Sequence, residues 1–510
     1  MRPSGRWVAP TAWGLIALGV VARCVRYGAN RSLWGDEASL AVNLIQRSFR
    51  ELAAPLDYDQ AAPIGFLFLQ KAVVLALGDH EYALRLVPLL AGLGSLALFY
   101  RIAAALLERH EALIATGLLA ISEPLVFYSS ELKQYSTDVF VALVILLPAS
   151  RIAQQGVTPR RLVGLALAGL VGVWFSLPAV FVCGGAGLVL LWKSCLREEG
   201  RARYIAATSA VGSLWLGGFA VEYGLLLRPL KHNAYLQLSW ADYFAPIPGL
   251  EAGALSWYGR VFFAYFNDPV GLPPPELAAF LFAVGFVAMF RRSAISLALL
   301  MSPLALALVA SMLGLMPFPV NDYYHLSERY YPFFGRLILF SVPLALLLIA
   351  RGLGALGAFG TQRFRVLGWL AAALLLALPV KQQFVNIASP PRLQELRSVV
   401  EQVQDRIRPR DLIFVQRRAQ SSMIYYSRDL KNARGPFQEL RGRLPADRFS
   451  LVNGIAKMGS GRRFWFFVLH HPHWGSEAEQ EAIEAVFADL AIPLYSAEAH
   501  NASATLYRTR

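Results

Sequence analysis

The chain has 510 residues, of which 56% are hydrophobic and only 16% charged, and its mean hydropathy is +0.45. Soluble domains carry about a quarter charged residues, so this composition excludes an ordinary soluble enzyme and points to a polytopic membrane protein. The formal charge of +14 would suggest nucleic acid if the arginines formed a patch on a soluble domain, but most sit in short links between apolar runs, where they set membrane orientation.

In chain order, a basic start (Arg2, Arg6) precedes an apolar run from Val8 to about Val25. No small-residue cleavage signature follows it, so it reads as a retained first span. Further apolar runs long enough to cross a bilayer fall at roughly 82–107, 111–128, 135–152, 161–176, 178–193, 203–227, 276–290, 294–316, 330–350 and 364–381. With the first run, at 8–27, they predict about eleven transmembrane helices. A cytoplasmic N-terminus places Arg101 and Arg109, then Arg151, Arg160 and Arg161, then Lys193, Arg197, Arg201 and Arg203 in cytoplasmic links. Arg291 and Arg292, and finally Arg351, Arg363 and Arg365, fall in the remaining ones, so every such link is basic, as the positive-inside rule requires. The same parity puts the loops 28–81, 129–134, 228–275 and 317–329, and everything after about 382, on the outer side.

Between the first two spans, Glu37 to Phe49 and Ile64 to Leu77 have the pattern of amphipathic helices lying on the membrane. Tyr58 to Pro63 forms the turn between them, since Pro63 disfavours helix at the residue before it. The 228–275 loop is rich in proline and aromatic residues (Tyr235, Trp240, Tyr243, Phe244, Trp257, Tyr258) and reads as a partly inserted lid. From about Pro391 the composition becomes soluble. Leu393 to Ile407 and Glu477 to Leu490 have helical period, while Asp411 to Gln416, Phe464 to His470 and stretches near Leu494 and Leu506 read as strands. The expected organisation is a transmembrane domain over 1–381 and a small outer α/β domain over 382–510.

Three polar constellations stand out on the outer side. Asp36 and Glu37, beside Trp34, form a carboxylate pair just beyond the first span; such a pair is a candidate for chemistry or a solvated helix start. Ser129-Ser130-Glu131-Leu132-Lys133-Gln134-Tyr135, with Asp138 behind, packs a dense polar cluster into a very short link. Its plainer reading is a self-paired Glu131 and Lys133 at the interface. Glu328-Arg329-Tyr330-Tyr331 precedes a late span, where Arg329 can clamp a phosphate with forked donors and Tyr330 can donate a hydroxyl, or where both belong to an aromatic belt. Cys24, Cys183 and Cys195 lie in or beside apolar segments and imply neither a disulfide framework nor a zinc site.

Together these residues resemble the polyprenyl-phosphate-dependent glycosyltransferases of the C superfold, in particular the bacterial relatives of protein O-mannosyltransferases and of lipid A aminoarabinose transferases. The resemblance rests on the first-loop Asp36-Glu37, the polar turn Gln60 to Pro63, the motif from Ser129 to Tyr135 and the Arg329-Tyr330 pair, and it covers the chain to about residue 380. Lys133 departs from the pattern, since many relatives carry Arg there; the charge is kept and the bidentate geometry lost. The resemblance implies an inverting glycosyltransferase that moves a sugar from a polyprenyl-phosphate donor to a lipid, glycan or protein acceptor. It also implies a bacterial inner membrane, with the C-terminal domain periplasmic. A phosphodiester leaves as a stable anion, so the donor side needs cations rather than a strong general acid. Lys133, Arg329 and Tyr330 can supply those donors, with Gln60, Glu131 and Tyr135 beside the phosphate or sugar. On the other face a carboxylate must take the acceptor proton, a role that falls to Asp36, with Glu37 positioning or tuning it. Glu131 either orients Lys133 or contacts the sugar.

A divalent metal is left open as a cofactor: His232, His325 and the loop carboxylates could contribute ligands, but no spacing has metal-site character, so no metal residue is assigned. The cluster His470-His471-Pro472-His473 reads as a strand end with a proline turn. Two other functions compete with this one. A polymerase or ligase of lipid-linked glycans would use a polyprenyl-phosphate or diphosphate handle too, and the sequence separates it poorly from the transferase. A secondary transporter would collect its polar residues near the bilayer midplane, often with inverted repeats, whereas here they gather in outer loops.

Overall fold

In hydrocarbon every backbone N–H and C=O must be satisfied within the protein, so long apolar stretches fold as helices. The computed structural model describes residues 8–231, 233–250, 253–320, 334–358, 362–429, 438–439, 455, 458–470 and 485–510. Its first helices are α1 Val8–Gly28, α2 Gly35–Gln46, α3 Phe49–Leu52, α4 Ile64–Leu77, α5 Glu81–Leu106, α6 Arg109–Ile121, α7 Glu123–Tyr128 and α8 Tyr135–Gln155. Then come α9 Pro159–Phe175, α10 Ala179–Cys195, α11 Arg201–Glu222, α12 Arg228–Leu230, α13 Ala234–Trp240 and α14 Ala254–Asn267. The helical series closes with α15 Pro275–Arg292, α16 Ala294–Met312, α17 Val342–Ala358, α18 Gln362–Ala388, α19 Leu396–Val403 and α20 Gln420–Tyr426.

Among the described residues, seven helical stretches are long and apolar enough to cross a membrane: α1, α5, α8, α11 continued to Leu230, α16, Phe334–Gly357 and the Leu370–Ala388 part of α18. The protein is therefore a multi-pass membrane protein. The remaining apolar runs are also helical but shorter, α9 and α10 having 17 residues each and α15 having 18. The run at 111–128 is not one helix but two, because Pro124 lies in the first turn of α7 and cannot continue α6. The break leaves carbonyls at the end of α6 without intrahelical donors. Buried Arg23 of α1 donates to Leu119 O (3.4 Å) and Ala120 O (3.3 Å), and Gln383 of α18 donates to Ile121 O (3.1 Å). An arginine inside the first span is thus part of the backbone accounting.

By packing, the chain divides into two compact units. The first holds residues up to Ala29, Ser48–Gly78 and Tyr82–Pro390, and the second holds Asn30–Arg47, Asp79–Glu81 and Pro391–Arg510. In the first, α15 and α17 approach so closely that a Cβ on Gly285 would lie 1.8 Å from Leu348 O, and one on Gly352 2.0 Å from Leu281 O. Only glycine permits that crossing. α18 runs unbroken to Ala388, past residue 382 where the change to a soluble domain is expected from composition.

The second unit carries a five-stranded sheet of β1 Leu412–Val415, β2 Gln438–Glu439, β3 Arg463–Leu469, β4 Ala491–Ala499 and β5 Ala502–Thr509, in the order β2-β1-β3-β5-β4. β1 pairs in parallel with β2 and β3, while β5 pairs antiparallel with β3 and β4. Alternate residues of β1 and β3 (Phe414, Phe464, Phe466, Val468) enter one core with Phe487, as the period of a strand dictates. The predicted helix at 393–407 is α19. Of the one at 477–490, residues 485–490 are helical and the earlier ones lie outside the described residues. α2, which carries Asp36 and Glu37, packs on α20 in this unit.

Candidate active site

The acidic pair sits in the first turn of α2, where the helix dipole favours negative charge. Glu37 is fully buried and Asp36 partly exposed. Trp34, the residue before the helix, has no side-chain oxygen to cap it, so the cap comes from elsewhere. Gly35 N–H donates to Gln394 Oε1 (2.9 Å) and Leu33 N–H to the Tyr426 hydroxyl (2.6 Å). Ser32 Oγ donates to Glu395 Oε2 (2.8 Å), and Ser39 Oγ meets both Gly35 O (2.8 Å) and Ser421 Oγ (2.9 Å). Tyr426 in turn donates to Glu81 Oε1 (3.2 Å), which is paired with Arg397 (2.9 Å), and Arg397 also donates to Asn30 O (2.5 Å).

In the membrane unit the turn before α4 is fixed as closely. Tyr58 and Asp59 both adopt left-handed φ (60° and 56°), a region that bulky residues occupy only when their surroundings over-determine it. Here four side chains do so. Asn233 Nδ2 donates to Asp59 Oδ1 (2.6 Å), Lys133 Nζ to Gln60 Oε1 (2.5 Å) and Gln134 Nε2 to Ala61 O (3.2 Å). The fourth, Glu222 Oε1, accepts from Ile64 N–H (2.9 Å). Pro63 offers α4 no side-chain cap, so buried Glu222 supplies it, from the point where α11 widens into the π-turn Tyr223–Leu227.

The 129–134 link is buried throughout. Glu131 pairs with Arg26 at 3.6 Å, and the Arg26 guanidinium lies 4.3 Å from the centre of the Phe127 ring. Tyr135 packs edge-on against Tyr128, with ring centres 4.9 Å apart. Tyr128 is within electrostatic range of Arg336, Tyr135, Asp268 and Glu131. Arg336 sits 5.6 Å over the Trp240 ring of the aromatic loop. Asp268, at the end of α14, accepts from Phe334 N–H (2.8 Å) and Gly335 N–H (3.2 Å). Burial raises its carboxyl to about 7, against the lowering effect of those two bonds and of Arg336.

The structure therefore brings Gln60, Lys133, Glu131 and Tyr135 into the membrane unit's polar cluster, and it places Asp36 and Glu37 on α2 in the second unit. Arg329, Tyr330, His232 and His325 lie outside the described residues. Of the tail histidines, His470 bonds Ser503 Oγ (3.0 Å), and His471 and His473 also lie outside. Among the described residues, one group of three potential metal ligands comes together, Glu108, His110 and Glu111. Glu111 is already paired with Arg351 at 2.6 Å, and the group sits in a link assigned above to the cytoplasmic side.

Sequence reasoning missed Arg26, Glu222, Asp268, Arg336, Gln394 and Tyr426. Arg26 and Glu222 carry a signal, since ionisable residues in apolar runs are expensive to keep there. Gln394 and Tyr426 carry none, because nothing in a polar tail sequence tells which amide meets a helix start hundreds of positions earlier.

No protein-family model and no curated protein matches the sequence. Solved structures do. ArnT from Cupriavidus metallidurans in the apo state is 13% identical with a TM-score of 0.54, each chain covered over 98%. The same protein bound to undecaprenyl phosphate is 12% identical with a TM-score of 0.56, covering 99% of this chain and 98% of that one. The archaeal oligosaccharyltransferase AglB from Archaeoglobus fulgidus, in complex with an inhibitory peptide and a dolichol-phosphate, is 10% identical with a TM-score of 0.51, over 98% of this chain and 74% of that one. The chain thus has, from end to end, the fold of the C-superfold glycosyltransferases.

Proposed function

We propose that the protein is an inverting glycosyltransferase that moves a sugar from a polyprenyl-phosphate donor to a lipid, glycan or protein acceptor on the outer face of a bacterial inner membrane. In this reading the N-terminus is cytoplasmic and the C-terminal domain extracytoplasmic. The observation that carries it is the end-to-end likeness to two proteins whose structures hold a polyprenyl phosphate, undecaprenyl phosphate in ArnT and dolichol-phosphate in AglB. The polar cluster of the membrane unit supports it. Lys133 is buried, and its ammonium is oriented by a hydrogen bond to the Gln60 side-chain oxygen.

The acceptor oxygen or nitrogen attacks the anomeric carbon as the bond to the phosphate oxygen breaks, and the electron pair leaves on the phosphate. Lys133 stabilises that developing charge, and Arg329 and Tyr330 are assigned to the same task. Asp36 takes the proton from the acceptor, with Glu37 beside it in the first turn of α2, and Glu131, Tyr135 and Gln60 hold the phosphate or sugar. One displacement gives inversion. A divalent metal is left open as an addition, and no step above needs one.

The test is transfer by the purified full chain from a polyprenyl-phosphate sugar. Asp36→Asn is expected to lose turnover by about 10²–10⁴-fold, the usual worth of a general base, and to keep donor binding. Full turnover in that variant would overturn the mechanism.

A further inference from the structure

We infer that the C-terminal domain is the mount of the proposed base, with Gln394 and Tyr426 as positioning residues for Asp36; this rests on the glycosyl-transfer reading. The first N–H groups of a helix have no intrahelical partner, and leaving one buried and unmade costs about 1–3 kcal/mol. Water is a poor substitute at Leu33, which is 0% exposed beside Trp34 at 8%, while Gly35 is partly buried. The first helical N–H, of Gly35, is taken by Gln394, and that of Leu33, just before the N-cap Trp34, by Tyr426, both side chains of the C-terminal domain. Neither bond stands alone. Tyr426 is fixed by Glu81, Glu81 by Arg397, and Arg397 returns to Asn30 O. Ser421 closes the other side of the turn through Ser39.

Asp36 lies inside this bracket, one residue after the N–H that Gln394 holds. A base has to stay within hydrogen-bond reach of the proton it removes, and a misplacement of about 1 Å can cost about 10²-fold. A short loop leaving a membrane helix does not provide that precision, whereas a packed α/β domain gripping both ends of the helical turn does. The domain therefore has a task in catalysis without contributing an atom to the substrate.

The experiment compares Gln394→Ala, Tyr426→Phe and Gln394→Glu with the wild-type full chain. The first two are expected to lower kcat about 10-fold, the worth of one such hydrogen bond, with donor KM unchanged within about 2-fold. Gln394→Glu keeps an acceptor oxygen and adds a negative charge next to Asp36. It should move the ascending limb of the kcat–pH profile up by a few tenths of a pH unit to about one, because a like charge disfavours ionisation of the base. An unmoved limb would mean that Gln394 does not face the base. Amide hydrogen exchange over 30–47 is read in parallel and is expected to quicken in the first two variants; it needs no turnover. If the wild type transfers sugar but kcat, pH limb and exchange over 30–47 are all unmoved, the mount is wrong. Faster exchange with unaltered kcat overturns it as well. If the wild type does not transfer sugar, or Asp36→Asn is fully active, the failure belongs to the glycosyl-transfer reading instead.

Discussion

Two pieces of one loop, residues 30–39 and 58–64, are held in different ways. The first is bracketed by Gln394, Glu395, Arg397, Ser421 and Tyr426 of the C-terminal sequence. The second is bracketed by Lys133, Gln134, Glu222 and Asn233 of the membrane unit. In both, a helix start that lacks its own side-chain cap is completed from far along the chain, by an amide in one case and a carboxylate in the other. The difference lies in what is carried. The first bracket carries carboxylates suited to accepting a proton, and the second carries an ammonium suited to a phosphate. Disturbing the first should therefore show in kcat, and disturbing the second in donor affinity.

The sharpest break of this contrast comes from Lys133→Gln. If Lys133 binds the donor phosphate as proposed, its loss is worth about 10- to 100-fold, the scale of one charge-assisted hydrogen bond, and is expected in donor Kd measured by direct titration. An unchanged Kd would remove Lys133 from the donor site. Next comes Glu222→Ala, which uncaps α4 without touching Lys133. Donor KM is expected to rise about 10-fold, and Glu222→Gln, which keeps an acceptor oxygen for Ile64 N–H, should recover most of it. If Ala and Gln behave alike, the hydrogen bond is not what holds the turn.

The smallest effect concerns Asp268, whose carboxyl titrates at about 7 in the fold. In the unfolded chain it titrates near 4, so between about pH 4 and pH 7 the unfolded state has released a proton that the folded state keeps. Its contribution is fully present below pH 4, falls as pH rises to about 7 and is level above. Asp268→Asn should flatten that part of the Tm–pH curve in detergent while leaving the ascending limb of kcat, assigned to the proposed base Asp36, in place. Parallel Tm–pH curves for the two proteins would mean that Asp268 is ionised in the fold.

Much of the architecture can be read without coordinates. Val8 to Gly28 or Tyr135 to Gln155 must be helical because an apolar run of that length has no other way to satisfy its backbone. The short, continuous, aromatic-rich apolar run Phe464 to Leu469 makes a buried strand for reasons equally local. The site is legible only in part. Carboxylates and cations crowded into short links are conspicuous against a hydrophobic background, which is how Asp36, Glu37, Glu131 and Lys133 stand out. The break between α6 and α7 shows the limit: the run at 111–128 reads as one span although it contains Pro124, and that Arg23 and Gln383 repair the break does not follow from any neighbouring residue.

The sequence by itself determined the long apolar helices, the polar links between them and the residue types on offer, because period, length and charge bias act over a few turns of chain. Tertiary structure alone decided that Glu222 caps α4 and that Gln394 and Tyr426 hold the start of α2. Those bonds join residues 158 to 393 positions apart, and any of several amides or carboxylates could have served. Which one does is set by where packing of the apolar faces brings the chain, and that is a property of the whole fold.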